Sequence, residues 1–262
     1  MKIATAIENY LVASNLREES QLKERKFYVS DMGKCQRTRW LKRKGISTQL
    51  TPYVYWIFAM GNMIHDYGYK ALEAQGILLQ TEEAIETEHW SGRYDGKIKT
   101  DTLPTPFDFK SAGQYAIKKA MAGAENEENI AQVLTYVMLL LDKGEKITES
   151  GILAYMNKEP NDLIPVAAFD REYHLTNTRR KALKEEMDKM IDFWVADKIP
   201  PCTCPSWMRN YNSYLPFCLM AEKEIKKYLT LLKNGTMVIS SKQSVFTHPV
   251  GESKSKKEVF HL

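Results

Sequence analysis

The sequence has no run of apolar residues long enough to span a membrane, and it is poor in cysteine and histidine, with four and five among 262 residues. The first segment, MKIATAIENYLVASNL, carries Glu8 and Asn9 where a signal peptide needs an unbroken apolar stretch. This segment is typical of an amphipathic helix. We therefore expect a cytoplasmic protein.

A strong charge of one sign is also missing, because the formal net charge is only +4 at pH 7. This mildly basic balance permits a nucleic-acid partner without requiring one. Apolar residues make up 44% of the chain and charged residues 27%, which is ordinary for a globular protein with a core.

The few cysteines are distributed unevenly along the chain. Cys35 lies near the start, whereas Cys202, Cys204 and Cys218 lie together near the end. Structural disulfides are rare in a reducing compartment, and four thiols suit a tetrathiolate metal site. Such a site would join the two ends of the fold.

Hydrophobic periodicity predicts helices near both ends of the chain and strands between them. This order predicts an α/β sheet domain with helical additions at both ends. The helix at 52–75 is expected to be largely buried. Helices are expected at 1–26, at 31–44 with Gly45 as the stop, and at 52–75, 114–141 and 176–196, with one more after 219; strands are expected at 77–87, 89–100, 105–111, 151–158, 164–175 and 236–241.

The stretch TPFDFKS alternates two phenylalanines with an aspartate and a lysine. In a strand, alternate side chains share a face, so Phe107 and Phe109 can enter a core while Asp108 and Lys110 share the other face. One interpretation is a half-buried strand with a solvated face. The other is a built site in which an anionic metal ligand lies beside a cation.

A second aspartate, Asp95 in SGRYDGKI, lies on the preceding predicted strand. If the two strands are neighbours, Asp95 and Asp108 can converge, and two such carboxylates repel each other unless a cation lies between them. Mg²⁺ or Mn²⁺ suits such oxygen ligands and would act on a phosphate or a bound water. Lys110 would hold or deprotonate that water, or stabilise charge on the phosphate.

Two helical patterns add further candidates. His65 shares a helix face with Gly61 and Gly68, which makes room for a close neighbour, although a packed core histidine gives the same pattern. Gln132 and Tyr136 lie one helical turn apart and also share a face. Taken alone, either pattern is weak evidence for a functional site.

In chain order these segments, GNMIH, GRYDG, DFKS and QVLTY, resemble the RecB-type branch of the PD-(D/E)XK nuclease superfamily. Cys35 in DMGKCQRTRW and the three later cysteines narrow the resemblance to the iron–sulfur members, namely the CRISPR-adaptation nuclease Cas-four, the AddB subunit and phage-encoded relatives. The resemblance covers residues 28 to 218. It implies a restriction-endonuclease-like α/β core, a mixed sheet flanked by helices, with helical additions closed by a four-cysteine cluster.

The resemblance further implies metal-dependent hydrolysis of DNA phosphodiesters, with exonuclease action on ends or single strands, in a bacterial, archaeal or phage-infected cell. The pathway would be CRISPR adaptation, recombination or phage DNA processing. Lys110 would be the catalytic lysine, and Gln132 and Tyr136 would position it or the scissile strand. The metal ligands would be His65, Asp95, Asp108 and the backbone carbonyl of Phe109.

For the cysteines, the resemblance implies a 4Fe–4S cluster bound by Cys35, Cys202, Cys204 and Cys218. The spacing of the three later cysteines differs from that of the family members, because CTC is followed by thirteen residues before Cys218. Zinc in a tetrathiolate site is the alternative.

The segment around Cys35 is rich in cations, and we expect it to contact DNA phosphates, although a solvated helix has the same composition. An aromatic residue between cations also suits base stacking, or a place in the core. The predicted DNA-binding residues are Lys34, Arg37, Arg39, Trp40, Lys42 and Arg43.

The predicted division has a helical N-terminal region at 1–75, a nuclease core at 76–196, a cysteine-rich segment at 197–220 and a C-terminal extension at 221–262. The alternative function is a DNA-binding or assembly subunit that keeps the fold without cutting. An oligomer or a protein partner is compatible with either function.

Overall fold

The structure is a computed structural model that describes residues 3–15, 26–46, 51–160, 167–204 and 214–233. Contacts divide the chain into two units, which we call the cysteine unit and the sheet unit. The four-part division expected from the sequence stays a prediction. The cysteine unit comprises Met1–Arg25, Lys34–Tyr55 and Asp192–Leu262, and the sheet unit comprises Lys26–Gly33 and Trp56–Ile191.

The sheet unit is built on one mixed sheet. Its strands are β1 (Phe27–Tyr28), β2 (Leu78–Glu86), β3 (Trp90–Ile98), β4 (Thr105–Ala112), β5 (Ser150–Asn157) and β6 (Ala167–His174). They lie in the order β1-β3-β4-β5-β6, with β2 paired to β3. The β4–β5 and β1–β3 pairs are parallel, and the other pairs are antiparallel.

Helices cover both faces of this sheet, which confirms the predicted α/β class. The helices are α1 (Ile3–Asn15), α2 (Gln36–Lys44), α3 (Pro52–Ala74), α4 (Gln114–Met121), α5 (Glu127–Asp142), α6 (Asn177–Val195), α7 (Leu215–Leu219) and α8 (Glu222–Lys233). Phe107 and Phe109 of β4 pack with Met156 against partly buried side chains of α3. The alternate residues Asp108 and Lys110 contact α5 on the other face.

A glycine allows α3 to approach the sheet closely. A Cβ on Gly68 would lie 2.7 Å from the Phe109 ring, closer than real atoms approach. Hydrophobic packing at this point therefore depends on the missing side chain.

Three helix predictions differ from the structure. The second helix begins at Gln36 rather than at 31, because a 3₁₀ turn and Gly33 at φ 76° precede it, although Gly45 ends it as predicted. The helix expected at 114–141 is two helices, α4 and α5. The expectation that α3 is largely buried was wrong, since Gly68 is its only buried residue among those described. The strand expected at 236–241 lies outside the described residues.

Helix α2 contacts later parts of the chain within the cysteine unit. The guanidinium of Arg37 donates to the carbonyl oxygens of Pro200 at 2.8 Å and Cys218 at 2.7 Å. The guanidinium of Arg43 lies 4.1 Å from the centre of the Trp194 ring. Among the helices that the structure describes, none has the length and apolar character needed to cross a membrane.

Candidate active site

The polar face of β4 is buried rather than solvated. Asp108 is 3% exposed, because α5 covers the face that it shares with Lys110. Burying a carboxylate is costly unless it is paired and hydrogen-bonded, so its partners determine whether it is tolerated. This removes the interpretation of TPFDFKS as a strand with a solvated face.

Asp108, Lys110 and Gln132 form a closed triangle of polar contacts. The Gln132 amide nitrogen donates to Asp108 Oδ1 at 3.0 Å, and Lys110 Nζ donates to Gln132 Oε1 at 2.8 Å. Lys110 Nζ also lies 2.5 Å from Asp108 Oδ2. Apart from this ion pair, Oδ2 has no hydrogen-bond partner among the described residues. The triangle orients the carboxylate and the ammonium toward each other.

Asp95 lies beside the same segment of β4. Its Oδ2 accepts a hydrogen bond of 2.6 Å from the backbone N–H of Phe109, the residue after Asp108. This follows from the antiparallel register that pairs Gly96 with Phe107. Burial raises the pKa of Asp95 to about 8, and the charge of Asp108 adds to the shift. Each acid therefore experiences the charge of the other.

His65 approaches the site from α3. Its Nδ1 lies 3.8 Å from Asp95 Oδ2, and burial lowers its pKa, so the neutral imidazole is favoured. The neighbour for which Gly61 and Gly68 make room is β4 itself. A Cβ on Gly61 would meet the Ser111 hydroxyl at 3.4 Å, and Gly68 faces the Phe109 ring. The glycines thus bring His65 close to the acids.

Tyr136 lies further along α5 and contacts β3. Its hydroxyl donates to the carbonyl oxygen of Arg93 at 3.0 Å, and its ring packs beside Tyr94. Burial raises the pKa of Tyr136 above its ordinary value. This contact fixes the backbone two residues before Asp95, whereas the contact with Lys110 is made by Gln132.

The donors of this site fit a hard divalent cation. Two carboxylates offer the oxygen atoms that Mg²⁺ and Mn²⁺ prefer, and among the described residues Asp108 Oδ2 has only the ammonium of Lys110 as a partner. Among those residues, the four cysteines form a second group of potential ligands, whose atoms all lie within 4.8 Å of one another.

The four cysteines meet within the cysteine unit. Cys35 Sγ lies 3.9 Å from the sulfur atoms of Cys202 and Cys218, and the set with Cys204 lies within 4.8 Å. The hydrogen bond from Cys218 lowers the pKa of Cys35 to about 3 and raises that of Cys218. A thiolate, the form that binds metals, is thus favoured at Cys35.

The thiol spacing also bears on which metal fits. Four thiolates on one tetrahedral zinc ion, with Zn–S of about 2.3 Å, stand about 3.8 Å apart. The 3.9 Å separations from Cys35 match that value. In a 4Fe–4S cluster each cysteine binds a different iron, so the sulfur atoms would have to be further apart. The separations from Cys35 are of the size expected around a single ion, and the identity of the metal stays a prediction.

The sequence patterns did not identify two further side chains that lie beside the site. Tyr69 follows His65 by one turn of α3, and its buried hydroxyl has no well-formed hydrogen bond among the described residues. Burial and then the charge of Asp95 raise its pKa. Glu82 lies on β2, has φ 45°, and raises the pKa of Asp95 through its charge. Helical spacing from His65 would have found Tyr69, but only the sheet register reveals Glu82.

The basic segment presents less surface than its composition suggests. Arg39, Trp40 and Arg43 are buried, and Trp40 at 1% exposure offers no ring for base stacking. Arg37 is engaged by backbone carbonyls. Lys34 and Lys42 are partly exposed. DNA contact by this segment stays a prediction, and the buried cations serve the packing of the unit.

No protein-family model matches the chain, and no curated protein matches it either. Among solved structures, the exonuclease LHK-Exo in complex with dAMP is similar, at 12% identity and a TM-score of 0.43, over 73% of this chain and 87% of that chain. The alkaline exonuclease LHK-Exo from Laribacter hongkongensis gives 12% and 0.37, over 72% and 97%. A phage-related exonuclease from Haemophilus somnus 129PT gives 15% and 0.38, over 53% and 72%. Similarities this distant are not evidence of function. A functional assignment therefore has to rest on the geometry of the site.

Proposed function

We propose that the protein is a Mg²⁺- or Mn²⁺-dependent deoxyribonuclease that hydrolyses phosphodiester bonds, acting as an exonuclease on DNA ends or single strands. One observation carries the proposal. The partly buried Asp95 accepts a hydrogen bond from the backbone N–H that follows the buried Asp108 on the adjacent strand, each charge acts on the other, and the ammonium of Lys110 lies beside Asp108. Two neighbouring carboxylates repel each other unless a cation lies between them. A lysine ammonium beside them can stabilise negative charge that develops on a phosphate.

Asp95, Asp108 and His65 would hold the metal, together with the Phe109 carbonyl that the family resemblance implies. The bound cation would supply Lewis-acid polarisation of the phosphate and a water of lowered pKa. The neutral imidazole favoured at His65 is the form able to bind.

Lys110 would act next to the phosphate. Its ammonium is held by Gln132 Oε1 and Asp108 Oδ2, so its position is fixed before substrate arrives. From there Lys110 Nζ can donate a hydrogen bond to a phosphate oxygen or orient the attacking water. Gln132 positions both partners, and Tyr136 holds β3 through the Arg93 carbonyl.

These roles agree with a RecB-type member of the PD-(D/E)XK superfamily that processes phage DNA or serves recombination or CRISPR adaptation. The four cysteines would form a structural metal centre. Their spacing supports a single zinc ion in place of the iron–sulfur cluster of the related nucleases. A closed set of four thiolates leaves no open position for catalysis.

A cleavage assay tests the proposal. Labelled single-stranded and duplex DNA is incubated with the protein and Mn²⁺ or Mg²⁺, beside Asp108→Ala and the matched control Asp101→Ala, an exposed loop carboxylate. We expect cleavage by the wild type and by Asp101→Ala, and its loss in Asp108→Ala. Tight DNA binding without turnover under any divalent ion would instead indicate the non-cleaving DNA-binding or assembly subunit.

A further inference from the structure

Arg93 and Glu82 form an exposed ion pair on β3 and β2, beside the candidate active site. The guanidinium nitrogen Nη1 of Arg93 lies 3.1 Å from Oε2 of Glu82. The Arg93 side chain is 65% exposed and the Glu82 side chain is 50% exposed, so both reach solvent. The roles proposed for the acids, the lysine and the glutamine of the site leave this guanidinium without a function.

Strand geometry places Arg93 on the same side of β3 as Asp95. The two residues are two positions apart, and alternate side chains of a strand share a face. Glu82 itself adopts φ 45°, and the register of the residues on either side sets it opposite Asp95. Its charge adds to the burial that raises the pKa of Asp95. One carboxylate thus lies beside both residues, and the Arg93 cation stands at the edge of the site.

The backbone that carries Arg93 is anchored to α5. The carbonyl oxygen of Arg93 accepts a hydrogen bond of 3.0 Å from the Tyr136 hydroxyl. Gly92 lets the two elements approach, because a Cβ at this position would lie 2.7 Å from the Tyr136 ring. A fixed main chain with an exposed guanidinium suits a side chain that receives a ligand from solvent.

A DNA strand brings one negative charge per nucleotide to a site that already contains several carboxylates. Glu82, Asp95 and Asp108 would all repel it. In the proposed function the bound metal and Lys110 compensate the scissile phosphate, whereas the next phosphate along the strand needs a cation of its own. Arg93 lies about 7 Å from Asp95 along β3, at roughly 3.4 Å per residue, a distance that one nucleotide can span. Its planar guanidinium also suits phosphate oxygens.

We propose that Arg93 binds the phosphate next to the scissile one in the DNA strand, and that Glu82 is the counterion of Arg93 before DNA arrives. This inference rests on the proposed function and adds a second phosphate-binding position to it. An exposed ion pair is weak, so a phosphate can take the place of the Glu82 carboxylate. Glu82 therefore competes with DNA for Arg93, which gives the two residues opposite effects on DNA affinity.

A second exposed ion pair of the sheet unit supplies matched controls. Arg180 Nη1 on α6 lies 3.6 Å from Asp142 Oδ1 at the end of α5, and the two side chains are 40% and 49% exposed. Asp142 stands about 15 Å from Gln132 along α5, at roughly 1.5 Å per residue. A pair that only joins two surface elements should not affect DNA binding.

Fluorescence anisotropy of a labelled single-stranded oligonucleotide, in a chelator and at several salt concentrations, tests the inference. Each phosphate contact contributes about 0.7 to the slope of log affinity against log salt for a single strand. Arg93→Gln should lower the magnitude of this slope by about that amount and weaken binding several-fold. Arg93→Lys keeps the charge and should keep the slope. Arg180→Gln and Asp142→Asn should bind as the wild type does.

Glu82→Gln should act in the opposite direction. We expect binding to tighten several-fold, because the guanidinium no longer has to leave a carboxylate when the phosphate arrives. In an Arg93→Gln background the same substitution should give a smaller gain, since the cation for which Glu82 competes is gone.

An Arg93→Gln protein with the slope, affinity and melting temperature of the wild type would overturn the inference. So would an equal loss of slope in Arg180→Gln, weaker binding by Glu82→Gln, or a wild type that binds no DNA. Because binding is measured in a chelator, the outcome is separable from that of the proposed function. A smaller slope in a protein that never cleaves DNA would contradict the nuclease and keep the phosphate contact. Cleavage with an unchanged slope would do the reverse.

Discussion

Gln132 donates from its amide nitrogen to Asp108 Oδ1 at 3.0 Å, linking helix α5 to the strand that carries the central carboxylate. The same side chain accepts from Lys110 at 2.8 Å, so one amide orients both charges. A glutamine is suited to this task because its amide offers a donor and an acceptor at once.

Replacing Gln132 with alanine should therefore release both groups. We expect the cleavage rate to fall by about 10- to 100-fold, since the lysine loses its fixed position. The free energy of unfolding should fall by about 1–3 kcal/mol, because a buried carboxylate loses a donor. Single-turnover kinetics and urea unfolding measure the two effects. Gln114→Ala, which removes a hydrogen bond to Glu159 near the protein surface, is the control and should retain the cleavage rate.

The hydroxyl of Tyr69 provides a second test, because it is buried beside Asp95 without a well-formed hydrogen bond among the described residues. Tyr69→Phe keeps the ring that packs on Phe109. We expect metal-free stability to change by less than about 1 kcal/mol, while Mn²⁺ affinity and cleavage fall several-fold. Isothermal titration with Mn²⁺ measures the affinity. Tyr173→Phe removes a comparable buried hydroxyl of the sheet unit and serves as the control. Equal Mn²⁺ affinity in Tyr69→Phe and the wild type would show that the hydroxyl has no part in the site.

The raised pKa of Asp95 predicts a pH dependence with a definite sign. In the metal-free protein Asp95 keeps its proton up to about pH 8, whereas an unfolded aspartate loses it near pH 3.9. Between these values the folded state binds more protons, so stability should decrease as pH rises toward 8. Urea unfolding in a chelator at several pH values measures this slope, and Asp95→Asn should reduce it.

The same proton must leave when a metal binds, so Mn²⁺ affinity should rise with pH, by up to about tenfold per unit below pH 8. Titration calorimetry in buffers of different ionisation enthalpy would detect the released proton. A pH-independent affinity with no proton release would contradict the assignment of Asp95 as a ligand.

The cysteine centre gives a prediction that is independent of nuclease activity. Protein purified without oxygen should be colourless and contain about one zinc per chain, since the Cys35 sulfur lies 3.9 Å from those of Cys202 and Cys218, close to the spacing around one tetrahedral ion. Cys218→Ser should lose the metal and lower the melting temperature, whereas Asp108→Ala should keep both. A brown protein with absorbance near 400 nm and about four irons per chain would establish the cluster instead.

Much of the sheet was predictable from residue alternation, but its environment was not. TPFDFKS was expected to separate its phenylalanines from Asp108 and Lys110, and it does. That α5 covers the polar face could not be foreseen, because alternation does not specify what packs on either side. The segment expected to form one helix at 114–141 is divided at Gly123, which adopts φ 81°. Hydrophobic periodicity does not reveal such a local backbone conformation.

The residues of the candidate site could be predicted from the sequence where helical or strand spacing relates them to one another. His65 and the pair of Gln132 and Tyr136 came from helical periodicity, but their partners depend on the tertiary packing. Glu82 was missed because its place beside Asp95 depends on strand register. In the basic segment, the sequence left Trp40 either at a DNA surface or in the core, and the structure buries both Trp40 and Arg39. Composition cannot distinguish a solvated cation from one that packs inside.

The proposed nuclease depends most of all on one divalent cation shared by Asp95 and Asp108. Anomalous diffraction from crystals soaked in Mn²⁺ tests this directly. We predict a single strong peak at bonding distance, about 2.0–2.3 Å, from a carboxylate oxygen of both residues. The absence of a peak between these two side chains in fully soaked crystals, or a peak bound by neither acid, would contradict it.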